Sequence, residues 1–189
     1  MNELTTASQT VGPFVSISFA PSLAGDLTVQ GVSGKRVVLH GRVIDGDGAP
    51  VGHAAIETWQ ANAHGKYAHP EDFQEKPLER EFRGFGRVMA DERGAYRLVT
   101  IEPGCTPGPG GVLQAPHLVV VIFMRGLLKH LTTRVYFPDD THNAEDPVLK
   151  LVPEERRATL IARRVATDAN ELEWNIVVQG KDETVFFEY

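Results

Sequence analysis

The sequence predicts an all-β fold: a β-sandwich of mostly antiparallel strands with an N-terminal arm, long loops and one helix in the C-terminal half. Three observations carry that reading. Short apolar runs rich in Val, Ile, Phe and Tyr recur from Lys35 onward, as strands facing a core require. Turn residues punctuate them, with 18 Gly and 12 Pro in the chain. Only one stretch shows helical periodicity, so sheets must supply the core.

The elements follow in chain order. Residues 1–35 are Gly-, Ser- and Thr-rich with short apolar pieces such as VGPFVSISFA, and read as an irregular arm. Residues 36–189 read as the sandwich domain. KRVVLHGRVI, the turn signal DGDG and HAAIETWQA predict a hairpin over residues 36–60. GAYRLVTI, HLVVVIFMR, LTTRVYF and LEWNIVVQG read as further strands, and ETVFFEY as another near the end. HLVVVIF lacks polar alternation, as expected for a strand covered on both faces. VPEERRATLIARRVA predicts a helix over 152–166: Pro153 suits the first turn, Glu154 and Glu155 complement the positive end, and Ala158, Ile161 and Val165 share a face. Two stretches exceed a minimal sandwich. One is the polar loop 60–87, carrying His64, Tyr67 and His69; the other is the Pro/Gly loop 102–116. Loops of that length in a small domain serve function or an interface.

Composition narrows the function classes. A chain of 189 residues with 42% hydrophobic residues can bury a substantial core. The net charge of −6 and the lack of any basic run argue against nucleic acid and anionic membrane surfaces. Cys105, the sole cysteine, can form no internal disulfide. It sits in EPGCTPGPGG, without a neighbouring base or helix N-terminus to activate it, and reads as a loop residue. MNELTTASQT shows no leader pattern and no apolar run approaches ~18 residues, which leads us to expect a cytoplasmic protein.

The residues that could carry chemistry are sparse. Histidines occur at His40, His53, His64, His69, His117, His130 and His142, with no HExxH pattern among them. Gly-x-Ser-x-Gly is absent and no glycine loop follows a strand in phosphate-binding fashion. His117 stands at the mouth of LQAPHLVVVIF, where a strand-borne metal site would place a second imidazole two residues on; that position is Val119.

The ordered set IETWQANAHGKYAHPED, GAYRLVTIEPG, APHLVVVIFMRG, TRVYFPDD, LIARR and QGKDETVFFEY resembles the intradiol ring-cleavage dioxygenases from Gln9 to Tyr189. The arm SQTVGPF and the tail ETVFFEY resemble the alpha-type chains of the family's protocatechuate-cleaving members. The resemblance implies a ferric site of two tyrosines and two histidines in catalytic chains. Phenolate and imidazole donors suit Fe(III), and a bidentate catecholate completes the coordination. It further implies O2-dependent cleavage between the hydroxylated carbons of 3,4-dihydroxybenzoate, giving 3-carboxy-cis,cis-muconate.

This sequence departs from that pattern where the ligands belong. The family's first histidine matches His117, the second falls on Val119, and an upstream arginine falls on Gln114. The tyrosines fall near Thr106 and near Gln74, which follows Phe73; Tyr67 belongs to the WQAN-x-x-G-x-Y motif and reads as structural. The resemblance therefore implies no metal ligand set and no catalytic residue in this chain alone, with His117 a remnant. Fe(III) would be held by a beta chain partner in a higher hetero-oligomer, contacted by the arm. Substrate contacts carried over at that interface are Thr10, Gly12, Pro13 and Arg125. A Gly-Pro pair brings backbone close to a neighbour, and a guanidinium pairs naturally with a benzoate carboxylate. Two alternatives stay open: a β-sandwich serving only assembly, and a stand-alone enzyme built on His64, Tyr67, His69 and His117.

Overall fold

Among the described residues the chain forms eleven strands, the longer central ones where apolar side chains face the core. They are β1 (Arg36–Ile44), β2 (Ala55–Trp59), β3 (Phe85–Met89), β4 (Ala95–Ile101), β5 (Thr106–Pro107), β6 (Leu113–Gln114), β7 (His117–Phe123), β8 (Leu131–Tyr136), β9 (Arg163–Val165), β10 (Asp168–Glu173) and β11 (Ile176–Val177). The computed structural model describes residues 7–28, 31–166 and 168–188. Residues 1–6 and 29–30 of the expected arm, and Tyr189 of the expected last strand, lie outside the described residues.

The strands form two sheets and a short ribbon. One sheet is antiparallel in the order β3-β2-β7-β8. The other is mixed. β4 lies antiparallel to β1 from Arg36↔Ile101 to Arg42↔Ala95, while β10 and then β11 run parallel along β1's other edge. β9 closes that side against β10, and β5 pairs only with β6. Val37, Leu39 and Leu98 of the mixed sheet meet Ile56, Leu118, Val120 and Ile122 of the antiparallel one in a single buried cluster. Each such side chain contributes about 1.5–3 kcal/mol by leaving water. Beside it, Ala115, Tyr136, Leu149, Val152 and Leu160 form a second cluster under the mouth of β7.

One close approach ties the sheet edge together. A Cβ at Gly41 would stand 1.8 Å from the Trp174 carbonyl oxygen, so only glycine lets β1 pass there. That same carbonyl accepts a 2.6 Å hydrogen bond from the buried Tyr96 hydroxyl.

Several sequence expectations need correction. The 36–60 stretch is no hairpin. The DGDG turn does reverse the chain, with Asp45 N donating to Ala49 O, but β1 and β2 then enter different sheets. The helix expected over 152–166 is confined to one turn, Glu154–Arg157, and a following 3-10 turn to Leu160. Thereafter the backbone extends into β9, and Ala162 N donates to Tyr136 O. ETVFFEY is represented by one bridge, Phe187 to Thr132, rather than a strand. β7 is not covered equally on both faces: Leu118, Val120 and Ile122 are buried, whereas Val119, Val121 and Phe123 are half-buried. Among the described residues of the arm, an α-helix that we number αN (Phe14–Phe19) buries no residue, and a 3-10 turn (Ala20–Ser22) follows it. Beyond it, Arg87 lays its guanidinium 4.2 Å from the Phe19 ring centre and also binds Glu57 and Ser22, clasping the arm to β3.

Candidate functional site

The WQAN-x-x-G-x-Y motif builds one wall of the site. Gln60 is buried; its amide donates to Ile101 O, and its carbonyl accepts from the Thr100 hydroxyl at 2.6 Å. Asn62 turns the chain: its side-chain oxygen accepts from His64 N and Lys66 N, and its amide donates to Pro77 O. Gly65 adopts φ +76°, and a Cβ there would stand 2.0 Å from Cys105 O. Loop 60–84 is thereby pressed against loop 102–107, and Tyr67 stacks on Trp59 with ring centres 5.9 Å apart. A cavity of about 600 Å³ opens here, lined by Trp59, Tyr67, His69, Phe73, Gln74 and Pro107 among others.

The β7–β8 face carries the second group of residues. Directly opposed residues in an antiparallel pair point the same way. The register His117↔Tyr136 and Val119↔Arg134 therefore puts these side chains on one face. The His117 and Tyr136 ring centres are 5.6 Å apart, and His117 Nδ1 lies 2.7 Å from Ala115 O. Arg134 donates to Gln114 Oε1 at 2.6 Å and reaches the Tyr136 hydroxyl at 3.5 Å. That hydroxyl donates to Asp146 Oδ1 at 3.1 Å. Asp146 is fully buried and also accepts from the backbone of Ala115, Val148 and Leu149.

Burial is the largest cause of each shift here, with neighbouring charges and hydrogen bonds adding to it or opposing it. Burial, reinforced by the Arg134 charge, lowers the His117 imidazole to about 4, so it is neutral at physiological pH. Burial raises the phenols of Tyr136 and Tyr67, while Arg134 pulls both the other way. Burial also raises the Cys105 thiol, with the Asp140 charge adding to it, which fits the reading of Cys105 as an unreactive loop residue.

Gln74 lines the cavity, Thr106 pairs with Gln114, and Gln114 meets Arg134 opposite Val119, but the chemistry of these positions does not fit ferric iron. They offer an alkyl group at Val119, an amide at Gln74, a hydroxyl at Thr106 and one imidazole whose Nδ1 is already engaged. Fe(III) favours anionic oxygen donors, completed by imidazole in sites of this kind, and none of the first three is either. The alternative set also fails to assemble. His64 and His69 are exposed, and His69 Nδ1 accepts from Glu71 N, while His117 is buried. No group of three or more His, Cys, Asp or Glu among the described residues could hold a metal ion.

Thr10 and Arg125 come together elsewhere. The Thr10 hydroxyl accepts from Gly126 N at 2.9 Å and lies 3.4 Å from Met124 O, so the arm is fastened on either side of Arg125. Arg125 itself is exposed. Pro13 precedes αN, and Val15 N donates to Gly12 O. A Cβ at Gly12 would meet nothing within 4 Å in this chain. Beside this rim runs a groove of about 1190 Å³ between the arm, the β7–β8 turn and the tail, lined by Val11, Met124, Leu128, His130 and Phe186 among others.

Sequence reasoning did not single out Arg134 or Asp146. Arg134 sits two residues from Tyr136 in TRVYF, so the two share a face, but their juxtaposition with His117 depends on cross-strand register. Asp146 carries no local signal beyond the Pro that follows it.

Comparison with known proteins agrees with this architecture. A family model described as Dioxygenase matches residues 26–180. The alpha chain of protocatechuate 3,4-dioxygenase from Pseudomonas putida is 38% identical over 97% of this chain and 96% of its own length. The corresponding alpha chain from Burkholderia cepacia is 39% identical over the same shares. The beta chain from Burkholderia cepacia is 37% identical over 84% of this chain and 73% of its own length. Among solved structures, the dioxygenase domain of a carbohydrate-binding fusion from Streptomyces sp. SirexAA-E superposes with a TM-score of 0.64 at 22% identity, covering 84% of this chain and 89% of that one. With the fold, the motif order and full-length relatives in agreement, this chain belongs to the intradiol ring-cleavage dioxygenase family.

Proposed function

We propose that this chain is the iron-free alpha subunit of a protocatechuate 3,4-dioxygenase, completing the substrate pocket of an iron-bearing beta chain. The observation that carries the reading is the Thr10 clasp, which fastens the arm beside Arg125 at an exposed rim. An arm that served only as a loose terminus would gain nothing from that attachment. The donor set around His117 supports the same division of labour, since the chemistry then has to occur on another chain. Fe(III), when bound there, supplies activation of the catecholate toward O2. Thr10, Gly12, Pro13 and Arg125 position the substrate, with the Arg125 guanidinium pairing with its carboxylate in a charge-assisted bond. The open space at Gly12 suits close approach of a ligand or partner backbone. Residues 1–35 act as the partner-contacting arm and 36–189 as the sandwich body.

The test is steady-state kinetics of the complex carrying Arg125→Ala. The expected result is an apparent KM for protocatechuate raised roughly tenfold or more, equivalent to ~1.4 kcal/mol of binding. An unchanged KM removes Arg125 from the pocket.

A further inference from the structure

The place that the missing ligands vacate is occupied by this chain's own chemistry. Val119 is the direct cross-strand neighbour of Arg134, and the Arg134 charge acts on Tyr67, His117 and Tyr136 together. The guanidinium is anchored at 2.6 Å to Gln114, on one side of His117, and reaches the Tyr136–Asp146 pair on the other. Asp146 is buried and acts as a fixed carboxylate behind Tyr136, giving the cation a counter-charge through one hydroxyl. Arg134 is half-buried, and a cation held by such anchoring stays in place where an unanchored one would swing out to water.

We propose that Arg134 is the resident cation of this site, a side chain that has taken over the place and positive charge of a metal and bars metal ions from entering. The site is thus closed in two ways, by loss of ligands and by occupation. Restoring the ligands alone would leave a guanidinium facing any incoming cation. The proposal rests on reading the chain as iron-free, but its test needs no partner chain and no turnover, so its failure is distinguishable from failure of the pocket-completion reading.

Three full-length chains decide it. The first carries Gln74→Tyr, Thr106→Tyr and Val119→His; the second adds Arg134→Gln; the third adds Arg134→Lys. Each is checked for folding by circular dichroism and loaded with ferrous ammonium sulfate in air. After gel filtration, iron per chain and the visible tyrosinate-to-iron band are measured. The expected result is at least tenfold more iron with Arg134→Gln than with either chain that keeps a cation at 134. Equal iron in the first and second chains overturns the proposal, and so does iron in none, because something other than Arg134 would then be the barrier. Should the triple substitution prevent folding, the otherwise unaltered chain gives the answer by melting. Arg134→Gln is expected to lower its melting temperature by about 5 °C, with Arg134→Lys recovering more than half. No change on Arg134→Gln overturns the role of a resident cation.

Discussion

His117 shows what a single residue can reveal. Its place at a strand mouth and the valine two positions later are both legible in the sequence, and the structure adds that its imidazole is buried against Ala115 O. Burial and Arg134 hold it at about 4, whereas an unfolded histidine titrates near 6.5. Between those values the unfolded chain binds a proton that the folded chain refuses. Stability contributed here is therefore fully present above about pH 6.5 and is lost as pH falls toward 4, by about 3 kcal/mol. Urea unfolding at pH 7 and pH 4.5, compared between the native chain and His117→Gln, checks this. The native chain should lose more on acidification than the variant, and parallel losses would contradict the account. Arg134, which helps set that value, was not legible. An arginine in an alternating strand reads as a solvated face, and only the register that opposes it to Val119 makes it part of a site.

At the scale of elements, loop 60–84 comes closest to loop 102–107 at Gly65. Gly65→Ala would force a Cβ to 2.0 Å from Cys105 O in a left-handed backbone. The expected cost is about 3 kcal/mol, read from the shift of the urea midpoint. Gly48→Ala is the control: φ is +81° there but nothing lies within 4 Å, so the cost should be about 1 kcal/mol. Equal costs would show that the loop contact does not matter. Element type was mostly legible, and element partners were not. The DGDG turn is real, yet turn chemistry cannot say that β1's edges are taken by β4 and by β10 with β11. The sequence suggests too long a helix over 152–166 because Ala158, Ile161 and Val165 fit a helical face. The burial of Leu160 and Ala162 around a half-buried Ile161 is a strand's alternation, and pairing with Tyr136 decided it.

For the whole molecule, the sandwich closes its own core while the arm leaves apolar surface outside. Phe14 and Ile17 on αN are 76% and 69% exposed, and Leu128 beside Arg125 is 64% exposed. Leu128 lines the groove between arm and tail, and with the exposed Phe14 and Ile17 it is the kind of apolar surface an obligate interface of ~2,000 Å² or more would cover. Removal of residues 1–13 should therefore leave the melting temperature of the lone chain within a few degrees, since the two exposed Thr10 contacts contribute about 1 kcal/mol. The same truncation should depress activity of the complex. A truncated chain that fails to fold would place the arm in the core economy of the sandwich instead.

The most direct measurement is iron content and protocatechuate-dependent oxygen uptake, for the chain made alone and for the chain co-expressed and co-purified with the proposed beta chain. The account predicts no stoichiometric iron and no uptake from the lone chain, with about one iron per pair and full uptake in the complex. Stoichiometric iron with tyrosinate-to-iron colour in the lone chain would contradict it, and His117 would then have to be a working ligand.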